Sequence, residues 1–453
     1  MINQESSKTA SVSKWLEVIL QERFGHTFQL TSHENTTKIS LAESDQFIDI
    51  SQLSVFSQEK FNLPFTNWKT CIQEGWKSIL KEETIPAPGV QVLHCPLIES
   101  SENGYHIHYD ILGLTYWMLS RQEEVGRADL DNHGRFPATA SHAYKHGYLE
   151  RPIVDEWLHI LGQVIQRTWP QLKLKKHQFS MKVSHDVDNP SRYGFCIPKQ
   201  LIRAIGGDII KRLDFKSALL APWIRLNNKH KLHPQDPYNT FDWIMDVSEQ
   251  NGLTSAFYFI CGGTTPQDAD YQPEHPAIRA LMRRVHERGH EIGLHPSYNT
   301  YQNPQAIVAE AQRLKKICAE EGIQQEQWGG RMHYLRWEQP TTLYGWEQAG
   351  MNYDSSLGYA DRPGFRCGTC FEYHAFDPVR QEILNVRIRP LIAMECSIMS
   401  SKYMSLNHEE KILNYLLSLK KKSQKLQGSF SLLWHNSFFL QKDLKKIFQR
   451  VVK

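Results

Sequence analysis

The 453-residue chain lacks any apolar run approaching the roughly 20 residues that a membrane-spanning helix needs. It also lacks a charge excess. Its 52 Lys and Arg against 49 Asp and Glu leave +3, which argues against the broad basic face that holds nucleic acid. Cysteine is sparse, with eight residues scattered over the length, unlike the dense framework of a small secreted domain, so free thiols are expected. Cys367-Gly-Thr-Cys370 is a C-x-x-C without a second pair, which disfavours a zinc ribbon. No repeat is visible, and the polar stretch Met1–Ala10 leads into an amphipathic Trp15–Leu20 rather than the apolar core of a secretory signal. A cytoplasmic protein is the expectation. Hydrophobic residues at 40% and a mean hydropathy of −0.50 fit a globular chain, and its length suggests two or three domains.

What the chain does have is histidine, 21 of them, the residue that ligates metals and moves protons near neutral pH. Their placement follows from the organisation of the chain. Up to about residue 175, short strand and helix patterns mix: a helix-like Trp68–Glu83, punctuation at Pro86-Ala-Pro88-Gly89, a strand-like Val90–Leu93, then helical faces over Tyr109–Glu124 and Pro152–Trp169. A polar loop, 129–146, separates the last two. Beyond it, strand and helix patterns alternate, with strands at Phe179–Val183, Ser255–Ile260 and Glu291–Leu294 and helices at Trp243–Glu249, Ala277–Arg288 and Pro304–Glu321. That alternation predicts parallel strands with helical crossovers, and chemistry at the carboxyl ends of the strands. The expected division is an N-terminal α/β domain, 1–175, and a second domain, 176–453.

Four strand ends carry reactive residues. In Ser184-His185-Asp186-Val187-Asp188 the period of two sends both carboxylates to one side, a costly pair unless a cation or a proton neutralises it; a turn before Pro190 is the plainer alternative. In Gly289-His290-Glu291-Ile292-Gly293-Leu294-His295 the histidines are five apart, so they do not share a helix face as a zincin motif requires. On a strand they face opposite ways. His295, at the strand end, is the better ligand candidate and His290 a packing residue. Arg331, after Gly329-Gly330, is a cation able to hold a buried Asp ionised. Phe430–His435 is an apolar strand ending in a single histidine.

Taken in this order, the four sites resemble the motifs of the NodB-type polysaccharide deacetylases. Gly289–His295 matches the family's G-H-E-I-G-x-H residue for residue, while Ser184–Asp188, Arg331–Tyr334 and Leu433–His435 approximate its other motifs, over about residues 178–440. Runs such as Asp236–Phe241 and Gly364–Thr369 resemble an uncharacterised branch tied to bacterial surface polysaccharides, with a similar N-terminal domain.

The resemblance implies an α/β fold with a distorted (β/α) barrel, and a metal-dependent hydrolase that removes acetyl groups from an acetylated sugar or glycan precursor. It implies Asp186 as general base, Asp188 and His295 as metal ligands, Arg331 as the group orienting Asp186, and His435 as acid. Val187 separates carboxylates that are adjacent in the family, so the roles of Asp186 and Asp188 are open to exchange. Where the family has a second metal histidine this chain has Asn299, an amide donor weaker for zinc than imidazole, with His185 and His333 as alternatives. The implied cofactor is a divalent metal, zinc first. Tyr334, Arg366 and Trp434 are candidate substrate contacts, Arg366 for a carboxylate or phosphate; Trp328, Trp337 and Tyr359 are further aromatics near the motifs, and Asp354 a candidate support for Arg331. Two alternatives stay open: an inactive barrel serving as a glycan-binding or assembly module, and hydrolysis of another C–N bond. The basic C-terminal tail, including Lys420, Lys421, Lys422, Lys425, Lys445 and Lys446, offers a peripheral contact to an anionic membrane.

Overall fold

The N-terminal region opens on the helix Ile2–Phe24, followed by the short strands Gln29–His33 (β1), Thr36–Ser40 (β2) and Phe47–Ser51 (β3), and in β2 and β3 every second residue is buried. With Ile98–Ser101 (β6) and Gly104–Ile107 (β7) they form a five-stranded sheet in the order β1-β2-β3-β7-β6. The computed structural model describes residues 2–58, 61–69, 74–263 and 265–453. Phe65–Trp68 (β4) and Ile85–Pro88 (β5) pair antiparallel. The strand lies on the Pro86-Ala-Pro88 punctuation and not on the expected Val90–Leu93, and residues 74–83 are irregular chain with one turn at 79–80 rather than the expected helix. Proline suits a two-stranded ribbon because one edge of each strand needs no donor. Residues 70–73, Cys71 among them, lie outside the described residues. The expected helices are present as Ile111–Leu119, capped by Asp110 through the Gly113 amide, and Ile153–Thr168.

The second region is built on a nine-stranded sheet. Ser180–Val187 (β8), Ser255–Ile260 (β9), Glu291–His295 (β10), Gly329–Gly330 (β11), Tyr353–Asp354 (β12), Tyr373–Asp377 (β13), Glu382–Ile388 (β14), Ala393–Met394 (β15) and Ser429–Leu433 (β16) run in the order β13-β14-β12-β11-β10-β9-β8-β16-β15. Every neighbouring pair is parallel except β13–β14. All six residues of β9 are buried, as expected for a strand covered on both faces. Against the expected distorted barrel, among the described residues no ladder joins β13 to β15, and β13 is an antiparallel strand at one end of the sheet.

The two-residue strand β11 holds its place in this sheet because both of its residues are glycines. A Cβ on Gly330 would sit 1.9 Å from the Leu294 carbonyl oxygen, and one on Gly329 would meet the Tyr353 ring at 2.2 Å. One continuous apolar core joins the two regions. Trp15 stacks on Phe376 at 4.9 Å between ring centres and donates from Nε1 to the His374 carbonyl at 2.8 Å. Among the described residues no helix is long and apolar enough to cross a membrane.

Candidate functional site

The carboxyl ends of β8, β10, β11, β15 and β16 converge on a pocket of about 310 Å³. Asp186, the penultimate residue of β8, is 3% exposed. Its Oδ1 accepts from Arg331 Nη1 at 2.8 Å. Arg331 is itself fully buried and also donates to Ser184 Oγ (2.8 Å), Ser355 Oγ (3.0 Å) and the Ser355 carbonyl (3.0 Å), so the guanidinium is fixed in the plane that serves Asp186. Asp354 caps the Ser356 amide, at 2.8 Å, in the same turn and accepts from Trp337 Nε1, and burial pushes its carboxyl up to about 6.

Asp188 lies one residue past β8 on the same side as Asp186. His295 Nε2 stands 3.2 Å from Asp188 Oδ1 and 3.7 Å from Asp186 Oδ2, and His333 Nδ1 stands 3.6 Å from Asp188 Oδ1 and 3.0 Å from His295 Nε2. The outer nitrogen of each ring is committed. His295 Nδ1 is 2.6 Å from the Arg331 carbonyl and His333 Nε2 is 2.8 Å from the Gln267 carbonyl, contacts that require each of those nitrogens to carry the proton. In neutral rings the inner nitrogens are then lone pairs, and with Asp188 Oδ1, a buried oxygen with no aligned donor, three acceptors face one another. Such a set calls for a cation or a proton. Carbonyl-anchored imidazoles with their free nitrogens turned inward are also the arrangement of histidine metal ligands, so these residues fit a divalent metal. Without one, burial opposes charge on His295, but Asp186 and Asp188 outweigh it and raise its pKa. Burial likewise opposes the Asp188 charge, and His333, His295 and His435 more than offset it, holding the carboxyl well below its usual range.

Across the pocket, His435 follows β16. Its Nδ1 meets Glu395 Oε1 at 2.5 Å, its backbone amide donates to the same oxygen at 3.1 Å, and its Nε2 points toward Asp188 Oδ2 at 3.5 Å. Burial disfavours the imidazolium, but Glu395, itself 1% exposed, dominates and raises the His435 pKa well above the ordinary histidine value. The pair faces the carboxylates across the pocket.

The structure thus brings together Asp186, Asp188, His295, Arg331, Tyr334 and His435. Tyr334 and Leu335 have φ of 59° and 55°, a left-handed stretch that turns the chain so that both line the pocket beside His333. Three expected residues lie elsewhere. Asn299 is exposed, in the loop between β10 and the helix Pro304–Glu320, and its Oδ1 accepts from Arg336 at 3.4 Å; His333 stands beside His295 instead. Arg366 is buried in a two-toothed pair with Glu124, its Nη1 on the Gly358 carbonyl, and does not line the pocket. Trp434 is wholly buried on the opposite side of its strand, stacked on Phe439 at 5.7 Å. His185 is also on that side, bonded to the Trp434 carbonyl and stacked on Phe257. His290 is remote, accepting from the Ser255 amide. Trp337 and Tyr359 are core residues.

One residue escaped the sequence, and His333 was named there only as an alternative ligand, because it lies three residues past the end of β11. Glu395 directly follows β15, the same strand-end position as the others, but a two-residue strand leaves no pattern to read. The N-terminal loop also reaches the rim: Arg135 donates to the Tyr334 carbonyl at 2.7 Å and to Tyr403 Oη at 3.1 Å, and pairs with Asp131.

Comparison with known proteins gives limited company. Residues 1–170 match the profile of a family of unknown function (DUF7033). None of the curated proteins matches. Among solved structures, a putative polysaccharide deacetylase from Mycobacterium smegmatis is similar at 12% identity and a TM-score of 0.36, covering 61% of this chain and 84% of the other. PuuE allantoinase is similar at 10% identity and 0.36, covering 63% and 85%. A probable polysaccharide deacetylase from Pseudomonas aeruginosa PAO1 is similar at 12% and 0.35, covering 61% and 84%. These are distant likenesses.

Proposed function

We propose that the chain is a metal-dependent hydrolase that removes an acetyl group from an acetylated sugar or glycan precursor. The observation that carries this reading is the convergence of three acceptors, from Asp188, His295 and His333, beside a carboxylate held by a buried arginine. In this reading those three residues hold the ion, with zinc first among the candidates. A divalent ion there would polarise the acyl carbonyl and make water more acidic.

The chain's own groups do the rest. Asp186, steadied at Oδ1 by Arg331, takes at Oδ2 the proton released as a water oxygen bonds to the acyl carbon. His435, kept charged by Glu395, gives its Nε2 proton to the leaving nitrogen or oxygen as the acyl bond breaks. Water is split between acetate and the freed amine or hydroxyl, and the Asp186 proton is returned to solvent as His435 is recharged. Tyr334, exposed at the rim, is an aromatic that can contact a sugar ring, whereas Trp434 and Arg366 do not line the pocket. The inactive-module alternative drew on Asn299, and His333 beside His295 supports the active reading in its place.

The test is acetate release from a panel of acetylated sugars, nucleotide sugars and glycans by the metal-loaded full chain. Turnover by at least one substrate, abolished in Asp186→Asn and His435→Ala, supports the reading. Turnover unchanged in both variants sinks it.

A further inference from the structure

Between β8 and the helix Phe241–Gln250 the chain does not cross directly. It first makes a hairpin of two helices, Pro198–Gly207 and Phe215–Asn227, joined through Asp208–Arg212. The inner face of the second helix is already used: Ala218, Ala221 and Ile224 are buried against Tyr193 and its neighbours. Its outer face is apolar as well. Phe215, Leu219, Trp223 and Leu226 are exposed, Leu219 at 83% and Trp223 at 59%. At ~100° per residue these four fall within an arc of ~80°, with Lys216 on one flank and Arg225 on the other. On the first helix and the joint, Ile202 and Ile210 are also exposed, at 72% and 79%.

A soluble surface seldom leaves so many large apolar side chains contiguous. The polar side chains around them have one sign. Lys199, Arg203, Lys211, Arg212, Lys216 and Arg225 are all exposed. The two acids of the hairpin are spent: Asp208 is buried against Arg192 and Tyr193, and Asp214 accepts from the Ser217 amide at 3.0 Å to cap the second helix. Those bonds to Arg192 and Tyr193 also pin the hairpin to the loop that follows Asp188, so it stands at the end of the sheet that carries the pocket.

We propose that this hairpin is a membrane-interface element, seated in the headgroup layer of an anionic bilayer with its Phe, Leu, Ile and Trp side chains toward the acyl region and its lysines and arginines on lipid phosphates. A Phe/Leu/Trp stripe bordered by cations is the pattern of a helix that lies in the interface plane, and neither helix has the length or the apolarity to span. The C-terminal tail is a poorer anchor than its sequence suggests. Lys420 and Lys425 donate to the Val451 and Leu80 carbonyls, Lys446 pairs with Asp443, and Lys445 lies over the Trp243 ring. The inference is independent of the chemistry proposed for the pocket.

The experiment is flotation of the full chain with phosphatidylcholine vesicles, with and without about a third phosphatidylglycerol, near 0.1 M salt where screening still leaves lipid charge felt over ~10 Å. The expected result is flotation with the anionic vesicles, weaker with neutral ones and weakened by added salt. Leu219→Gln with Trp223→Gln, and separately Lys199→Glu with Lys216→Glu, each lower the partition coefficient at least ~10-fold. Both pairs are on the surface, so an unchanged circular dichroism spectrum and melting temperature establish folding. Failure to float with either vesicle, or flotation unchanged in both double variants, overturns the proposal. So does a Leu219- and Trp223-dependent dimer in sedimentation equilibrium that vesicles fail to dissociate.

Discussion

Replacing His333 with alanine tests the third ligand of the proposed metal set against the residue that the motif pattern would have chosen. His333 Nδ1 faces His295 Nε2 at 3.0 Å and Asp188 Oδ1 at 3.6 Å, while Asn299 is exposed and turned to Arg336. Losing a residue that merely orients a metal ligand costs 10–100-fold in affinity. Losing one of three protein ligands should cost at least the upper end, ~100-fold, or ~2.7 kcal/mol. Removing Asn299 takes away no inward acceptor and should leave affinity within ~3-fold, the scatter of an ordinary surface substitution of ±0.5 kcal/mol. The assay is competition for zinc between the full chain and a chromogenic chelator at fixed pH, with circular dichroism to confirm folding of each variant. Wild-type affinity in His333→Ala, or an equal loss in Asn299→Ala, would refute the assignment.

Other expectations follow from neighbouring contacts. Arg331→Met leaves Asp186 buried without its cation and should lower stability by about 3–5 kcal/mol in urea unfolding, the usual cost of breaking a buried pair on one side; a loss under ~1 kcal/mol would mean that Asp186 is solvated. Glu395→Gln removes the main influence that raises the His435 pKa, so the alkaline limb of any pH–rate profile should move to lower pH, and an unmoved limb would rule out His435 as the acid. Burial lifts the Glu123 carboxyl from 4.5 to about 7, so the native state keeps a proton that the unfolded chain has released. Stability from this group is full below pH ~4.5 and is lost as pH rises through ~7, by up to ~3 kcal/mol. Urea unfolding at pH 5 and pH 8 should show that fall flattened in Glu123→Gln. His142, lowered by burial to about 4, acts oppositely: its stabilisation is complete above pH ~6.5 and is lost toward pH 4, so His142→Phe should reduce acid sensitivity in the same measurements.

The parallel core of the fold was legible because its period is regular: β9 and the helices on either side of β10 fall within a residue or two of where the pattern placed them. The strand-end rule then found Asp186, Asp188, His295 and His435 without knowledge of the sheet order. What failed was local and geometric. Asn299 was named because it stands where the family's second metal histidine stands, and that position cannot show that its side chain is exposed and turned to Arg336. Trp434 and His185 were considered for their chemistry, yet strand alternation puts each on the face opposite its neighbour in the site, a point that the period of two already contained. Arg366 was judged from its loop, while its partner, Glu124, is 242 residues away and could not be paired with it by pattern. The hairpin at Pro198–Asn227 drew no attention for a related reason: amphipathic patterning reveals which side chains share a face, not whether that face is covered.

Trp15 has a bearing on how the chain avoids its own kind. β13 pairs on one side only, with β14, and an edge strand left bare is a template for another copy. The helix Ile2–Phe24 lies over it, Trp15 taking up the His374 carbonyl and Glu22 holding Arg387 of the neighbouring strand. The first helix therefore serves as an edge guard. A fragment that begins near residue 176 would keep every proposed catalytic group and still be expected to associate edge to edge, so loss of activity in such a fragment would report aggregation before it reported chemistry.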